Sequence, residues 1–287
     1  MPADVAIPDD FRAQSRKRWS AQAEGWESRR DQLRVSTMPV SAWMIDALDP
    51  QPGDTLLELA AGTGDTGLLA AELVEPGGTL ISSDFSPEML QTAQRRAEEL
   101  GVRNVRFKQI DAETSIDVEA GSIDGVLCRW GYMLMADPEH ALRETRRVLR
   151  SGRLVALAAW AGPEHNPWHA LPARAMIAHG LAEPPDEGAP GPFAWAREGA
   201  IAEHLEAAGF TEHHVEPLDF AYHYRSAADW WATTSALSAT FAQAIARAGD
   251  DDLAAVSDAL DRHAERFAQP DGALRMPART WAAWAAA

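Results

Sequence analysis

The stretch Thr55-Leu56-Leu57-Glu58-Leu59-Ala60 runs almost directly into Gly62-Thr63-Gly64, and no other feature of the chain restricts its fold as much. A short leucine-rich run, set off upstream by Pro52-Gly53-Asp54, has the character of a strand buried on both faces. The glycines that follow supply a tight turn, and the apolar residues beyond them predict a helix beginning at that turn. Strand, glycine turn and helix open a βαβ unit, and such units build parallel sheets with right-handed crossovers.

The rhythm then repeats. Residues 79–83 read as a second strand ending at Asp84, and Ser86-Pro87-Glu88 provides an N-cap, a first-turn proline and a first-turn acid for a helix that Gly101 stops. Residues 105–110 form a third strand ending at Asp111, residues 123–127 a fourth and residues 154–159 a fifth. Between the last two, Asp137-Pro138 opens a helix with Ala141, Leu142, Thr145 and Val148 at helical spacing. Upstream, residues 10–47 carry Trp19, Trp26, Leu33 and Met44 at helical intervals, and Pro39 predicts a break between cap helices. Past Trp160, Pro163, Pro167, Pro172 and the cluster from Pro184 to Pro192 read as a lid or connection. A helix ending at Gly209, an irregular strand pair over 212–224, helices over 227–267 and a last strand over 274–283 follow. The expected organisation is an N-terminal helical cap (1–50), an α/β core (51–160), and lid segments with further helices and strands (161–287), the cap belonging to one structural domain.

With 46% apolar and 24% charged residues in 287, the chain has the composition of a folded protein rather than a disordered one. Acidic residues outnumber basic ones 43 to 26, a net charge of −17 that repels phosphate backbones and argues against a nucleic-acid partner. The lone Cys128 excludes an internal disulfide and a cysteine-rich zinc site, and its place in the fourth strand makes it a core residue. His213 and His214 point to opposite faces of a strand, a poor chelate, and no other spacing suggests a metal. No basic leader precedes an apolar stretch and no 18 apolar residues run together, so membrane insertion is not expected and a cytoplasmic location is.

Ligands of open parallel sheets bind beyond the carboxyl ends of the strands, at the point where strand order reverses. Gly62-x-Gly64-x-x-Gly67, with Asp84 placed 20 residues after Gly64, matches a dinucleotide fingerprint, and alone it supports an NAD-dependent oxidoreductase. Three acids argue otherwise: Glu58 in the first strand, Asp65 at the helix start and Asp111 after the third strand are expected to converge on the crevice and repel a diphosphate. S-adenosylmethionine is a net cation without phosphate and suits an acid-lined crevice. Moreover, none of Tyr132, Tyr222 or Tyr224 is followed four residues later by lysine, so a Tyr-x-x-x-Lys relay is absent. The oxidoreductase stays as the alternative, with a cofactor-binding protein lacking chemistry of its own as a third class.

Over residues 52–160 the sequence resembles the class I S-adenosylmethionine-dependent methyltransferases, and within them the branch of the ubiquinone and menaquinone biosynthesis methyltransferases. The residues that carry the resemblance are Leu57-Glu58-Leu59-Ala60-Ala61-Gly62-Thr63-Gly64, Asp84-Phe85-Ser86-Pro87-Glu88-Met89-Leu90, Asp111-Ala112-Glu113, Cys128-Arg129-Trp130-Gly131 and the run from Glu144 to Gly152. The resemblance implies a Rossmann-like fold, a mostly parallel seven-stranded sheet with helices on both faces, with S-adenosylmethionine as cofactor and S-adenosylhomocysteine as product. It implies that Glu58 and the loop of Ala60, Gly62, Thr63 and Gly64 serve the methionyl part, that Asp84 bonds the ribose, and that Phe85 and Met89 flank the adenine. It further implies Asp111 and Ala112 at the adenine edge, the backbone carbonyl of Arg129 on the ammonium, and Trp26, where tyrosine is common, closing over the methionyl end. Ala60 departs from the glycine usual at its position.

The acceptor is expected to be a small, partly hydrophobic molecule, neutral or cationic, walled by Trp26, Trp130, Met133, Leu134, Met135, Trp160, Trp168 and the Trp230-Trp231 pair. Methyl transfer needs a base only when the acceptor must lose a proton. Tyr132, His140, His165 and His169 are within reach of the crevice, and none is assigned as catalytic. The methylated atom and the oligomeric state are left open.

Overall fold

The computed structural model describes residues 10–186 and 188–287; the first nine residues of the expected cap, and Glu187 in the proline cluster, lie outside them. Strands β1 (Thr55–Glu58), β2 (Thr79–Asp84), β3 (Val105–Gln109), β4 (Ile123–Arg129) and β5 (Leu149–Trp160) run parallel. β6 (Glu212–Tyr224) and β7 (Leu274–Ala286) complete a seven-stranded sheet of order β3-β2-β1-β4-β5-β7-β6, with β7 antiparallel to both neighbours. Strand order reverses between β1 and β4, so a crevice opens beyond their carboxyl ends.

Period-two alternation divides the core between the two sheet faces. Leu56, Leu80, Leu127 and Ala156 face helices α1 (Phe11–Leu48), α2 (Asp65–Leu73) and α3 (Pro87–Leu100), whereas Leu57, Val126, Cys128 and Leu157 face α4 (Pro138–Val148), α5 (Pro167–Ala178) and α6 (Ala200–Ala207). Each fully buried leucine of this kind stabilises the fold by about 1.5–3 kcal/mol. Helices α7 (Ala227–Leu237), α8 (Ala239–Arg247) and α9 (Asp250–Ala264) extend the second layer. Ser86 caps α3 by accepting from the Met89 N–H at 3.2 Å, and Asp137 caps α4 by accepting from His140 at 2.9 Å, as their positions predicted.

Two expectations are corrected. Pro39 does not break the N-terminal segment: α1 is one helix of 38 residues. The proline and Val35, whose carbonyl loses its partner, are both exposed, so water serves the freed carbonyl and the buried side of the helix is undisturbed. Nor are residues 212–224 an irregular pair. They form a single strand registered on β7 from Glu212↔Ala286 to Tyr224↔Leu274, and Pro217 is tolerated because β6 is an edge strand. The expected lid also begins as helix, with Pro167 in the first turn of α5 and Pro172 inside it. Among the described residues no helix is long and apolar enough to cross a membrane.

Candidate functional site

A cavity of about 350 Å³ lies beyond the carboxyl ends of β1, β2 and β4. One wall is the start of α1, which presents Phe11, Ser15, Trp19 and Trp26 at spacings of four, four and seven residues, one helix face. The floor is made of the loops after β1, β2 and β3. The opposite wall comes from the loop after β4, the end of β5, and α5, β6, α7 and α8.

Glu58, the last residue of β1, is buried and turns under the glycine loop. Its Oε1 accepts from the Gly67 N–H at 2.7 Å and its Oε2 from the Ser82 hydroxyl at 3.2 Å. Burial raises its carboxyl to about 7, against the pull of the Gly67 N–H and of Arg129. The carboxylate thus occupies one of the free amides at the N-terminal turn of α2. A Cβ on Gly67 would stand 2.2 Å from Oε2, so the third glycine of the fingerprint is required by Glu58.

Asp84, at the end of β2, accepts from the Gly62 N–H through Oδ2 and from the Ser86 N–H through Oδ1, both at 2.9 Å. Burial pushes it up to about 6, opposed by main-chain donors, chiefly those of Ser86 and Gly62. Each oxygen keeps lone-pair capacity for a further donor. Asp111 is more open; its Oδ1 accepts from the Glu113 N–H at 3.1 Å, and Arg12 of α1 lies 3.5 Å from Oδ2. Glu113 accepts from Ala136 at 2.7 Å and Asp137 at 2.8 Å, tying this loop to the start of α4, and burial raises its carboxyl.

Backbone strain sits on both sides of the crevice. Ala60 holds φ 52° and Trp130 holds φ 60°, a conformation that side chains rarely adopt and that gathers at functional sites. Trp130 is held there by stacking on Trp160, centroids 4.1 Å apart at 13°, by its Nε1–H bond to Thr280 at 3.1 Å, and by the Arg129 guanidinium 4.8 Å from its ring. The Arg129 guanidinium also donates to Thr37 at 2.8 Å and Ser41 at 3.1 Å, fastening α1 to the end of β4. Sequence reasoning assigned only the Arg129 carbonyl and did not anticipate this contact.

Trp26, Glu58, Ala60, Gly62, Thr63, Asp84, Phe85, Met89, Asp111, Ala112 and Arg129 all line the one cavity. Gly64 does not: it caps α2 in the left-handed conformation and packs toward Ala93 and Leu68, away from the space. Asp65 does not converge on the crevice either. It accepts from the Thr63 hydroxyl at 3.0 Å and lies 3.8 Å from Arg129 beneath the loop. What occupies the start of α2 is Glu58, on the Gly67 amide.

On the far side, Trp130, Met133, Leu134, Met135, Trp160 and Trp168 form walls as expected. Trp230 and Trp231 do not. Trp230 is fully buried and donates its indole N–H to the Trp168 carbonyl at 2.8 Å, holding that wall from behind, while Trp231 packs toward Phe241. Of the four titratable candidates only His169 reaches the cavity. The Tyr132 hydroxyl pairs with Thr145 at 2.7 Å, His140 Nε2 with the Thr114 carbonyl at 3.2 Å, and His165 lies 3.5 Å from Glu164. Burial lowers the His169 imidazole to about 4. Tyr222 and Tyr224 also line the space and were missed. The signal was Phe220, Tyr222 and Tyr224 at every second position, the pattern of one strand face.

Residues 50–175 match the family described as a methyltransferase domain. A demethylmenaquinone methyltransferase of Thermus thermophilus is 42% identical over 112 residues, 39% of this chain and 49% of that protein. A nocamycin O-methyltransferase of Saccharothrix syringae is 31% identical over 183 residues, 61% of this chain and 65% of that protein. These matches span less than two thirds of either relative's length. Among solved structures, the YcgJ protein of Bacillus subtilis superposes with a TM-score of 0.56 at 21% identity, over 87% of this chain and 98% of that one, a likeness of fold. Over residues 50–175 the chain is therefore similar to a methyltransferase domain, and its sheet has the Rossmann-like fold of its solved neighbours.

Proposed function

We propose that the cavity binds S-adenosylmethionine and that the protein transfers its methyl group, by in-line displacement, to a small and partly hydrophobic organic acceptor. The observation that carries this reading is that the carboxylates Asp84 and Asp111 and the strained loop at Ala60 open into the same space as the Trp130, Trp160 and Trp168 wall. The donor set fits a cationic ligand: carboxylates whose protons are held by burial ionise when a positive charge arrives. It fits a diphosphate poorly, because Glu58 already takes the Gly67 amide at the start of α2.

In this reading Asp84 accepts the ribose hydroxyls with its remaining lone pairs, Phe85 and Met89 flank the adenine, and Asp111 and Ala112 border its edge. Gly62, Thr63 and the Arg129 carbonyl serve the methionyl part, and Trp26, whose buried Nε1 has no partner among the described residues, closes over it. When bound, S-adenosylmethionine supplies a methyl group on a cationic sulfur. The aromatic wall excludes water and holds the acceptor in line, and alignment of this kind can account for most of the acceleration. Two relatives named for methylating demethylmenaquinone and nocamycin support a small organic acceptor over a polymeric one. Calorimetric titration with S-adenosylhomocysteine, NAD and NADP tests the ligand: binding of the first alone is expected, and binding of NAD alone overturns the reading. Release of S-adenosylhomocysteine in an acceptor screen separates an enzyme from a binding protein.

A further inference from the structure

The wall opposite α1 combines the indoles of Trp160 and Trp168 with polar residues, among them Thr233, Thr234, Ser238 and Thr240 and a group of tyrosine and histidine side chains. Tyr222 and Tyr224 are 4% and 3% exposed, lie on one face of β6 with ring centroids 6.1 Å apart, and line the cavity. Among the described residues neither hydroxyl has a hydrogen-bond partner, and burial raises both, so both stay protonated. His169, on α5, is joined to them through the ring of Trp168, whose centroid lies 5.5 Å from the imidazole and 4.8 Å from Tyr222. Its Nδ1 is sealed from solvent without a partner. A neutral imidazole carries one N–H, and a buried N–H left unpaired is rarely tolerated. The proton therefore belongs on Nε2, toward the cavity, and the aromatic rings of Phe193 and Phe241, 5.4 Å and 5.9 Å away, offer the imidazole no stronger acceptor.

We infer that Tyr222, Tyr224 and His169 are the hydrogen-bond donors that anchor lone-pair-bearing oxygens, keto or enol, on a flat and uncharged acceptor. The inference rests on the acceptor reading above and narrows it. Three donors in a space without a free carboxylate at that end call for an oxygen that accepts. An ammonium could use only the hydroxyl lone pairs and the faces of the rings, and would leave the imidazole N–H unmet. The indoles of Trp160 and Trp168 supply flat walls beside the three donors, with centroids 4.9 Å apart.

The test uses three bicyclic probes that differ at one position: 1-tetralone, which has a keto oxygen, tetralin, which has none, and 1-aminotetralin, a cation. Each is titrated by tryptophan fluorescence into the full chain saturated with S-adenosylhomocysteine. Tetralone is expected to bind at least about tenfold tighter than either other probe, since each tenfold corresponds to about 1.4 kcal/mol, one good hydrogen bond. In the Tyr222→Phe, Tyr224→Phe double variant, and in His169→Leu, that preference is expected to fall while tetralin binding is unchanged. Equal binding of tetralone and tetralin, a preference for the amine, a preference that survives the substitutions, or no binding of any probe overturns the inference. The S-adenosylhomocysteine titration of the same samples reports separately on folding and on the methyltransferase reading. If it shows no binding while tetralone is still preferred in the free protein, the reading fails and the donor assignment stands.

Discussion

The two ends of the cavity are built in opposite ways. Where β1 and β2 end, both strand-end carboxylates are already bonded to the loops around them: Glu58 holds the Gly67 amide and Ser82, and Asp84 holds the amides of Gly62 and Ser86. At the far end, the hydroxyls of Tyr222 and Tyr224 belong to residues that line the cavity and have no hydrogen-bond partner among the described residues, and Nδ1 of His169 is sealed without one. Carboxylates that shape a loop belong to the scaffold as much as to any ligand. Hydroxyls that open into a cavity without a protein partner are free to bond whatever enters it.

The largest test of this contrast is Gly67→Ala. The added Cβ meets the Glu58 carboxylate at 2.2 Å, and overpacking of this kind, together with a disturbed hydrogen bond, is expected to destabilise the fold by about 2–3 kcal/mol in urea unfolding. Tyr224→Phe at the other end deletes an unpaired hydroxyl and is expected to leave stability unchanged or raised. Comparable losses for both variants would erase the distinction.

Asp84→Ala comes next. Charge-assisted hydrogen bonds are worth about 1.5–3 kcal/mol, so affinity for S-adenosylhomocysteine should fall at least about tenfold by calorimetry. The same titration on Tyr222→Phe should match the parent. An Asp84 variant of undiminished affinity would reduce that residue to a loop cap.

The ends should also titrate in opposite directions. Glu58 and Asp84 are raised from 4.5 and 3.8 to about 7 and 6, so their contribution to stability is complete at low pH and is lost as pH rises through those values. His169 is lowered from 6.5 to about 4, so its contribution is present above 6.5 and is lost as pH falls toward 4. Two carboxyls outweigh one imidazole, so melting temperature of the free protein should fall as pH rises from about 4.5 to 7. Saturating S-adenosylmethionine should flatten that fall, because a cation favours the ionised carboxylates, and His169→Leu should steepen it by removing the opposing contribution. A profile unchanged by both would show that these groups do not govern it.

The smallest expected effect is at Ala60, whose φ of 52° strains a residue bearing a Cβ. Ala60→Gly should gain at most about 1 kcal/mol, since relief of the left-handed conformation is offset by the greater freedom of glycine when unfolded. A loss on this substitution would mean that the methyl group packs usefully at the crevice.

Much of the carboxylate end was legible beforehand because its signals are local. A strand, a glycine turn and a cap occupy adjacent residues, and strand-end acids reach the crevice by topology alone; hence Glu58, Asp84, Phe85 and Asp111 line the cavity where the sequence put them. Where direction rather than position mattered, local reading failed. Asp65 was expected to face the crevice and instead turns beneath the loop toward Thr63 and Arg129. Gly64 sits in the loop but packs on Ala93.

By itself the sequence determined the alternation of strands and helices, the caps at Ser86 and Asp137, and the acid-bearing strand ends, because each depends on side chains within a few residues of one another. Tertiary structure alone decided that α1 stays whole through Pro39, that β6 pairs along its full length with β7, and that Tyr222, Tyr224 and His169 share a cavity with Asp84. The physical reason is separation along the chain. A proline is tolerated or not according to which side faces water, a strand is regular or not according to its partner, and side chains from β2, α5 and β6 meet only once the sheet has closed.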